Sequence, residues 1–114
     1  MQMTPEGIAI LDKLAPFVQR AKCCEKGREK LHRTQRTLAF VLLAEDISEN
    51  SRKEALNTFQ CPVYQALTSE EIQRRFGLEN AKLVGFRKGG LSSQLEAAFA
   101  GCRIMPEATV PKAQ

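Results

Sequence analysis

The chain has 114 residues, 43% hydrophobic and 26% charged, with a net charge of +4. This is the composition of one ordinary globular domain and excludes a disordered chain. No apolar run approaches the roughly 20 residues of a membrane helix, and Met1-Gln2-Met3-Thr4-Pro5-Glu6 lacks the basic and apolar regions of a signal peptide, so a cytoplasmic location is expected.

Thr4-Pro5-Glu6 reads as a helix start, with Thr4 as N-cap, Pro5 in the first helical position and Glu6 in the first turn. Ile8, Leu11, Leu14, Ala15 and Val18 follow a helical period. Pro16 cannot donate to residue 12 and crowds its carbonyl, which predicts a kink or restart before the helix resumes to about Lys22, with Phe17 and Val18 buried.

Cys23-Cys24 has room for a very short strand. Gly27 then precedes a second helix over about Arg28–Arg36, polar on most faces, with Leu31 as its one strong apolar anchor. The segment Arg20–Arg36 carries seven cations and two anions, a net +5, so the remainder of the chain is at −1. A charge excess confined to 17 residues is the footprint of a polyanionic partner or, more blandly, a solvated helix face.

Leu38–Ala44 is seven apolar residues without alternation, which predicts a strand buried on both faces and therefore helices on both sides of a sheet. Ser48 caps a third helix to about Phe59, with Ala55, Leu56 and Phe59 inward. Pro62–Ala66 is a short strand. Thr68 and Glu71 form a capping box for a fourth helix that buries Ile72 and Phe76 and ends at Gly77. Leu78-Glu79-Asn80 is a loop, Ala81–Phe86 a strand, Gly89-Gly90 a turn, and Leu91–Ala100 the last helix. Residues 1–101 make a single domain, and 102–114, with Pro106 and Pro111, a loose C-terminal tail. Strands alternating with helices predict an α/β layered fold.

Little in the sequence argues for catalysis. Glu45-Asp46 ends a central strand, where α/β folds bind ligands, but adjacent strand residues face opposite ways and make a poor acid/base pair; the pair fits better as a cap or a join to the next helix. No Gly-x-Gly-x-x-Gly, phosphate-cradling Gly-x-x-x-x-Gly-Lys-Ser/Thr or Gly-x-Ser-x-Gly occurs. Cys24 and His32 lack a third group to orient the histidine. Cys23, Cys24, Cys61 and Cys102 contain no Cys-x-x-Cys, and His32 is the only histidine, so buried or half-buried thiols are expected rather than a metal site or a cofactor.

Gln19-Arg20-Ala21, Gly27 six residues later, Phe40-Val-Leu-Leu-Ala-Glu-Asp-Ile-Ser-Glu-Asn50, Cys61-Pro-Val-Tyr64, Thr68-Ser-Glu-Glu71, Gly77 and Ala81-Lys-Leu-Val-Gly-Phe86 together resemble the bacterial branch of the ribosomal protein L seven Ae / L thirty e family. The likeness covers about Leu11–Phe99. It implies a three-layer α/β/α sandwich around a mixed, about four-stranded sheet. It also implies RNA binding at kink-turns or similar bent loops, through the helix that begins at the glycine and the loop before the last strand. The family pattern after that glycine is Gly-x-Asn-Glu-x-x-Lys, with Lys-Gln in place of Asn-Glu in some bacterial members. Here Glu29 and Lys30 stand at the Asn-Glu pair and Arg33 at the lysine. An ionised glutamate cannot donate to a purine edge, so Glu29 removes a donor that kink-turn reading uses.

The expected protein is a non-catalytic, ribosome- or structured-RNA-associated monomer, with ribosomal proteins as further partners and no membrane. Its implied RNA-binding residues are the cations Lys26, Arg28, Lys30, Arg33 and Arg36 against phosphates, Gly27 with the free backbone N–H groups of the helix it starts, Glu29 at the family's asparagine position, and Leu78, Glu79 and Asn80 beside unpaired bases. The alternatives are a protein–protein adaptor that kept the fold and lost RNA recognition, and a stand-alone substrate-recognition domain of RNA-modifying enzymes.

Overall fold

The computed structural model describes residues 3–105. Helix α1 (Pro5–Ala21) is followed by β1 (Cys24–Lys26), α2 (Arg28–Arg33), a 3-10 turn (Gln35–Thr37) and β2 (Leu38–Leu43). Then come α3 (Glu49–Thr58), β3 (Val63–Gln65), α4 (Ser69–Phe76), β4 (Leu83–Arg87), α5 (Gly90–Glu96), a second 3-10 turn (Ala97–Phe99) and β5 (Arg103–Met105). The five strands form one mixed sheet in the order β1-β4-β2-β3-β5. β2 runs parallel to β3 and antiparallel to β4, and the edge strands β1 and β5 pair antiparallel with β4 and β3.

The apolar run does what its pattern requires. Phe40, Leu42 and Ala44 face one layer with α1, α4 and α5; Leu38, Val41 and Leu43 face the other with Leu31 of α2 and Ala55 and Phe59 of α3. Leu38 shares a face with odd-numbered residues because the register with β4 slips between Leu38 and Phe40, absorbing Ala39 as a bulge. The result is a three-layer α/β/α sandwich around β2.

Local capping chemistry sets most helix ends. The Thr4 hydroxyl accepts from Gly7 N at 3.0 Å, Ser48 Oγ from Ser51 N at 3.2 Å, and Thr68 and Glu71 satisfy each other's backbone N–H groups. Gly77 closes α4 in the left-handed region at φ 75°. Gly85 serves β4 differently. A Cβ there would lie 2.7 Å from Leu31 Cδ2 and 3.1 Å from both Leu38 methyls, so the glycine lets α2 sit down on the sheet.

Several expectations change. α2 ends at Arg33 rather than at about Arg36, and a 3-10 turn takes over. α1 passes through Pro16 to Ala21 without a restart; Pro16 and Asp12 lie on the exposed side, where solvent offers an alternative partner to the carbonyl that Pro16 cannot bond. Phe17 is half exposed, and Ile8 is also largely outside the core; Arg20 covers the Phe17 ring, its guanidinium 5.6 Å from the centroid. The domain does not stop at residue 101. Cys102 is fully buried, and Arg103–Met105 pairs with β3 as a fifth strand, because an uncovered β3 edge would leave backbone groups unpaired. Residues 106–114 of the expected tail lie outside the described residues.

Candidate functional site

The basic segment resolves into two places rather than one. α2 has only six residues, and its single buried side chain is Leu31, so every cation it carries is exposed. Residues five apart on an α-helix stand about 140° apart around its axis. Arg28 and Arg33 therefore reach opposite sides of α2, and the 3-10 turn carries Arg36 further toward its C-terminal end.

The first place is an open groove of about 630 Å³ at the amino end of α2. Its walls are Lys26, Gly27 and Arg28 from the β1–α2 junction, Ile47, Ser48 and Ser51 from the start of α3, and Asn80, Ala81, Lys82 and Leu83 from the approach to β4. These segments meet because β2 and β4 are antiparallel neighbours: Ala44 N donates to Lys82 O at 3.0 Å, so the chain leaving β2 runs beside the chain entering β4. Lys26 ties the third wall in through its ammonium, which donates to the Glu79 carbonyl. Two turns depend on unusual backbone. Gly27 has φ 111°, where any side chain is strained, and Asn80 has φ 54°, a left-handed position that asparagine tolerates better than most residues.

The chemistry of this groove is selective. It has three cations and no carboxylate in its walls, an apolar floor in Ile47, Ala81 and Leu83, and polar donors in Ser48, Ser51 and Asn80. Arg28 is paired with Glu54 across the groove's edge. Lys26 and Lys82 have no carboxylate within ion-pair distance among the described residues. Ser48 already accepts the α3 capping bond, which leaves its hydroxyl proton free to donate.

The remaining expected site residues fall elsewhere. Glu29 is exposed in the first turn of α2 and lines neither groove. Lys30 reaches back to Glu25, 3.0 Å from its Oε1, and Arg87 holds the other oxygen of that carboxylate. Leu78 is half buried against the main core, and Glu79 contributes its backbone carbonyl rather than its carboxylate. Arg33 and Arg36 line the second groove, at the other end of α2. α2 is less than two turns long, so its dipole is small and the side-chain cations dominate the field.

Ile47, Ser48, Ser51 and Lys82 belong to the first groove, yet they stand outside the basic segment in sequence. The run Glu45–Asn50 is a visible marker, but its three acids, Glu45, Asp46 and Glu49, are not in the groove. Asp46 instead accepts from Ser69 N at 2.9 Å and from Ser69 Oγ at 2.7 Å, which holds its carboxyl below the usual range and fastens the β2–α3 link to the start of α4. Of the thiols, Cys24 is pushed up to about 11, chiefly by burial and then by neighbouring Cys23, so it stays protonated at neutral pH, the reverse of an activated nucleophile.

No family model matches the sequence, and no curated protein matches it. Solved structures do match. A protein of unknown function from Bacillus halodurans aligns with a TM-score of 0.67 at 20% identity, over 85% of this chain and 99% of its own. The Giardia lamblia 15.5kD RNA binding protein aligns with a TM-score of 0.62 at 11% identity, over 87% of this chain and 89% of its own. The chain shares the fold of both. At these identities the likeness is one of architecture, and it spans nearly the whole of each neighbour.

Proposed function

We propose that this protein binds RNA without catalysing a reaction on it, taking an unpaired or bent segment of a structured RNA in the groove at the amino end of α2. One observation carries the reading: the groove joins three cations, an apolar floor and free polar donors, with no carboxylate in its walls. Phosphates need the first, an unstacked base the second and base edges the third. A like fold in the Giardia RNA binding protein supports it, as does the resemblance to the L seven Ae / L thirty e family in the sequence.

Lys26 and Lys82 would contact phosphate, whereas Asn80, Ser48 and Ser51 face the base. Glu29 offers no donor, so recognition here would rest on shape and on the groove rather than on the helix position that the family's kink-turn pattern uses. Within the cell the partner would be a ribosomal or other structured RNA.

Lys26→Ala with Lys82→Ala should weaken RNA binding almost equally across sequences. The slope of log affinity against log salt should become shallower by about 1–2. Filter binding with a bent internal loop, a duplex and a single strand, repeated across salt, measures this. An unchanged slope would mean that the RNA lies elsewhere, and a wild-type protein with no salt-sensitive RNA binding would favour the adaptor reading instead.

A further inference from the structure

The second groove, about 560 Å³, lies at the opposite end of α2, where β2 and β3 begin and β4 ends. His32, Arg33, Arg36 and Lys88 bring the basic side chains to its walls from α2, the 3-10 turn and the turn after β4. Gln35, Leu38, Ala39, Gln60, Cys61 and Pro62 complete it, with no carboxylate. Arg33, Arg36 and Lys88 make no ion pair among the described residues, whereas the nearby Arg28, Lys30 and Arg87 are each paired.

This arrangement is held in place by hydrogen bonds that have no need of the charges. Gln35 donates to the carbonyls of His32 and Thr58, both at 3.3 Å, and accepts from Gln60 N at 3.1 Å. Lys88 N donates to Thr37 O at 2.8 Å. The backbone that carries three permanent cations is thus fixed around one hollow, and their like charges favour an anion there. Along α2, the five-residue step from Arg28 in the first groove to Arg33 in the second spans about 8 Å of helix axis. An RNA strand crosses that distance easily.

We propose that the second groove is a phosphate-backbone site for a helical arm of the same RNA, so that the bound RNA straddles α2 with its unpaired segment in the first groove. Arg33, Arg36 and Lys88 contact consecutive phosphates, and the arm is held by its backbone without reading its sequence. The proposal rests on the RNA-binding reading above and adds to it a second contact with separate determinants.

The test compares Arg33→Ala/Arg36→Ala/Lys88→Ala with Lys26→Ala/Lys82→Ala on two RNAs: one carrying only the bent loop with minimal closing pairs, and one extended by a duplex arm. All five side chains are exposed and those of Arg33, Arg36 and Lys88 make no hydrogen bond or ion pair among the described residues, so the triple variant should keep the wild-type circular dichroism and melting curve; Lys26 also holds the Glu79 carbonyl, so Lys82→Ala alone is run beside the double variant as its folding control. The triple variant should lose about tenfold or more in affinity for the extended RNA, with a salt slope shallower by about 2–3, and should bind the short RNA as wild type does. The double variant should lose affinity for both. Lysine at Arg33 and Arg36, with Lys88 intact, should restore most of the loss, since a phosphate contact needs charge more than shape. An unimpaired triple variant, beside an impaired double variant, overturns the second site and leaves the RNA-binding reading standing. Equal losses on both RNAs also overturn it, and so would a triple variant that binds RNA normally but loses binding to poly-glutamate. Failure of the wild-type protein to bind either RNA removes the underlying reading.

Discussion

Leu31→Ala should cost about 2–5 kcal/mol of stability and, on the RNA-binding proposal, weaken RNA binding as well at a temperature where the variant is still folded. α2 is six residues long, too short to hold a helix by its own hydrogen bonds. Its one buried side chain, fully inaccessible, is Leu31, seated against Gly85 and Leu38 in the layer with Val41, Leu43, Ala55, Phe59 and Val63. What else fixes α2 is weak: the exposed Arg28–Glu54 pair, worth about 0–1 kcal/mol, and the contact of the exposed Lys30 ammonium to the half-buried Glu25. Truncating Leu31 therefore leaves both a cavity and a loosely tethered helix. Gly27 and Arg28 line one groove and His32 and Arg33 the other, so both grooves lose definition together. Urea unfolding gives the stability change, read from the midpoint at constant slope. Filter binding well below the midpoint gives the affinity. Leu31→Met, which keeps the volume, should stay within about 1.5 kcal/mol and bind RNA normally. If Leu31→Ala loses stability but binds RNA as tightly as the wild type, α2 is not the element that carries the interface.

The features legible in the sequence were those decided by neighbours in the chain. Thr4, Ser48, Thr68 with Glu71, and Gly77 act within one helical turn, and each caps the helix end that its position implies. The seven-residue apolar run implied a two-sided burial because no alternation was left to put a face in water. What escaped needed tertiary neighbours. Lys82 and Ser48 are 34 residues apart and meet only because β4 lies antiparallel beside β2. The split of the basic segment depends on α2 ending at Arg33 rather than continuing to Arg36, and the Gln35 bonds to Thr58 and Gln60 across 23 and 25 residues hold the turn that follows. Phe17 obeys no simple period, and its exposure reflects the absence of any element over that flank of α1 among the described residues. β5 has three residues and no pattern to mark it; only the free edge of β3 recruits it.

The opposite layer provides the contrast. Phe40→Ala should cost about 3–5 kcal/mol, more than Leu31→Ala at its midrange, and yet leave RNA affinity unchanged wherever the variant remains folded. Phe40 is fully buried and lies at the centre of the aromatic packing: stacked on Phe86 with centroids 4.5 Å apart, edge-on to Tyr64 at 5.5 Å, and tilted against Phe99 at 6.0 Å. Each such pair adds about 0.5–1.5 kcal/mol beyond the area it buries. Tyr64 is itself positioned by its hydroxyl, which donates to Glu96 at 2.6 Å, so a void at Phe40 is lined by side chains that cannot readily fill it. All of this lies on the α1, α4 and α5 side of the sheet, away from Leu31. Phe40 is adjacent in sequence to Ala39, which lines the second groove, but its side chain points through to the other layer. A loss of affinity in Phe40→Ala as large as in Leu31→Ala would therefore mean that both report a general softening of the domain. An affinity loss confined to Leu31→Ala would tie the interface to one layer, with α2 as its movable part and the aromatic layer as the support that holds the sheet beneath it.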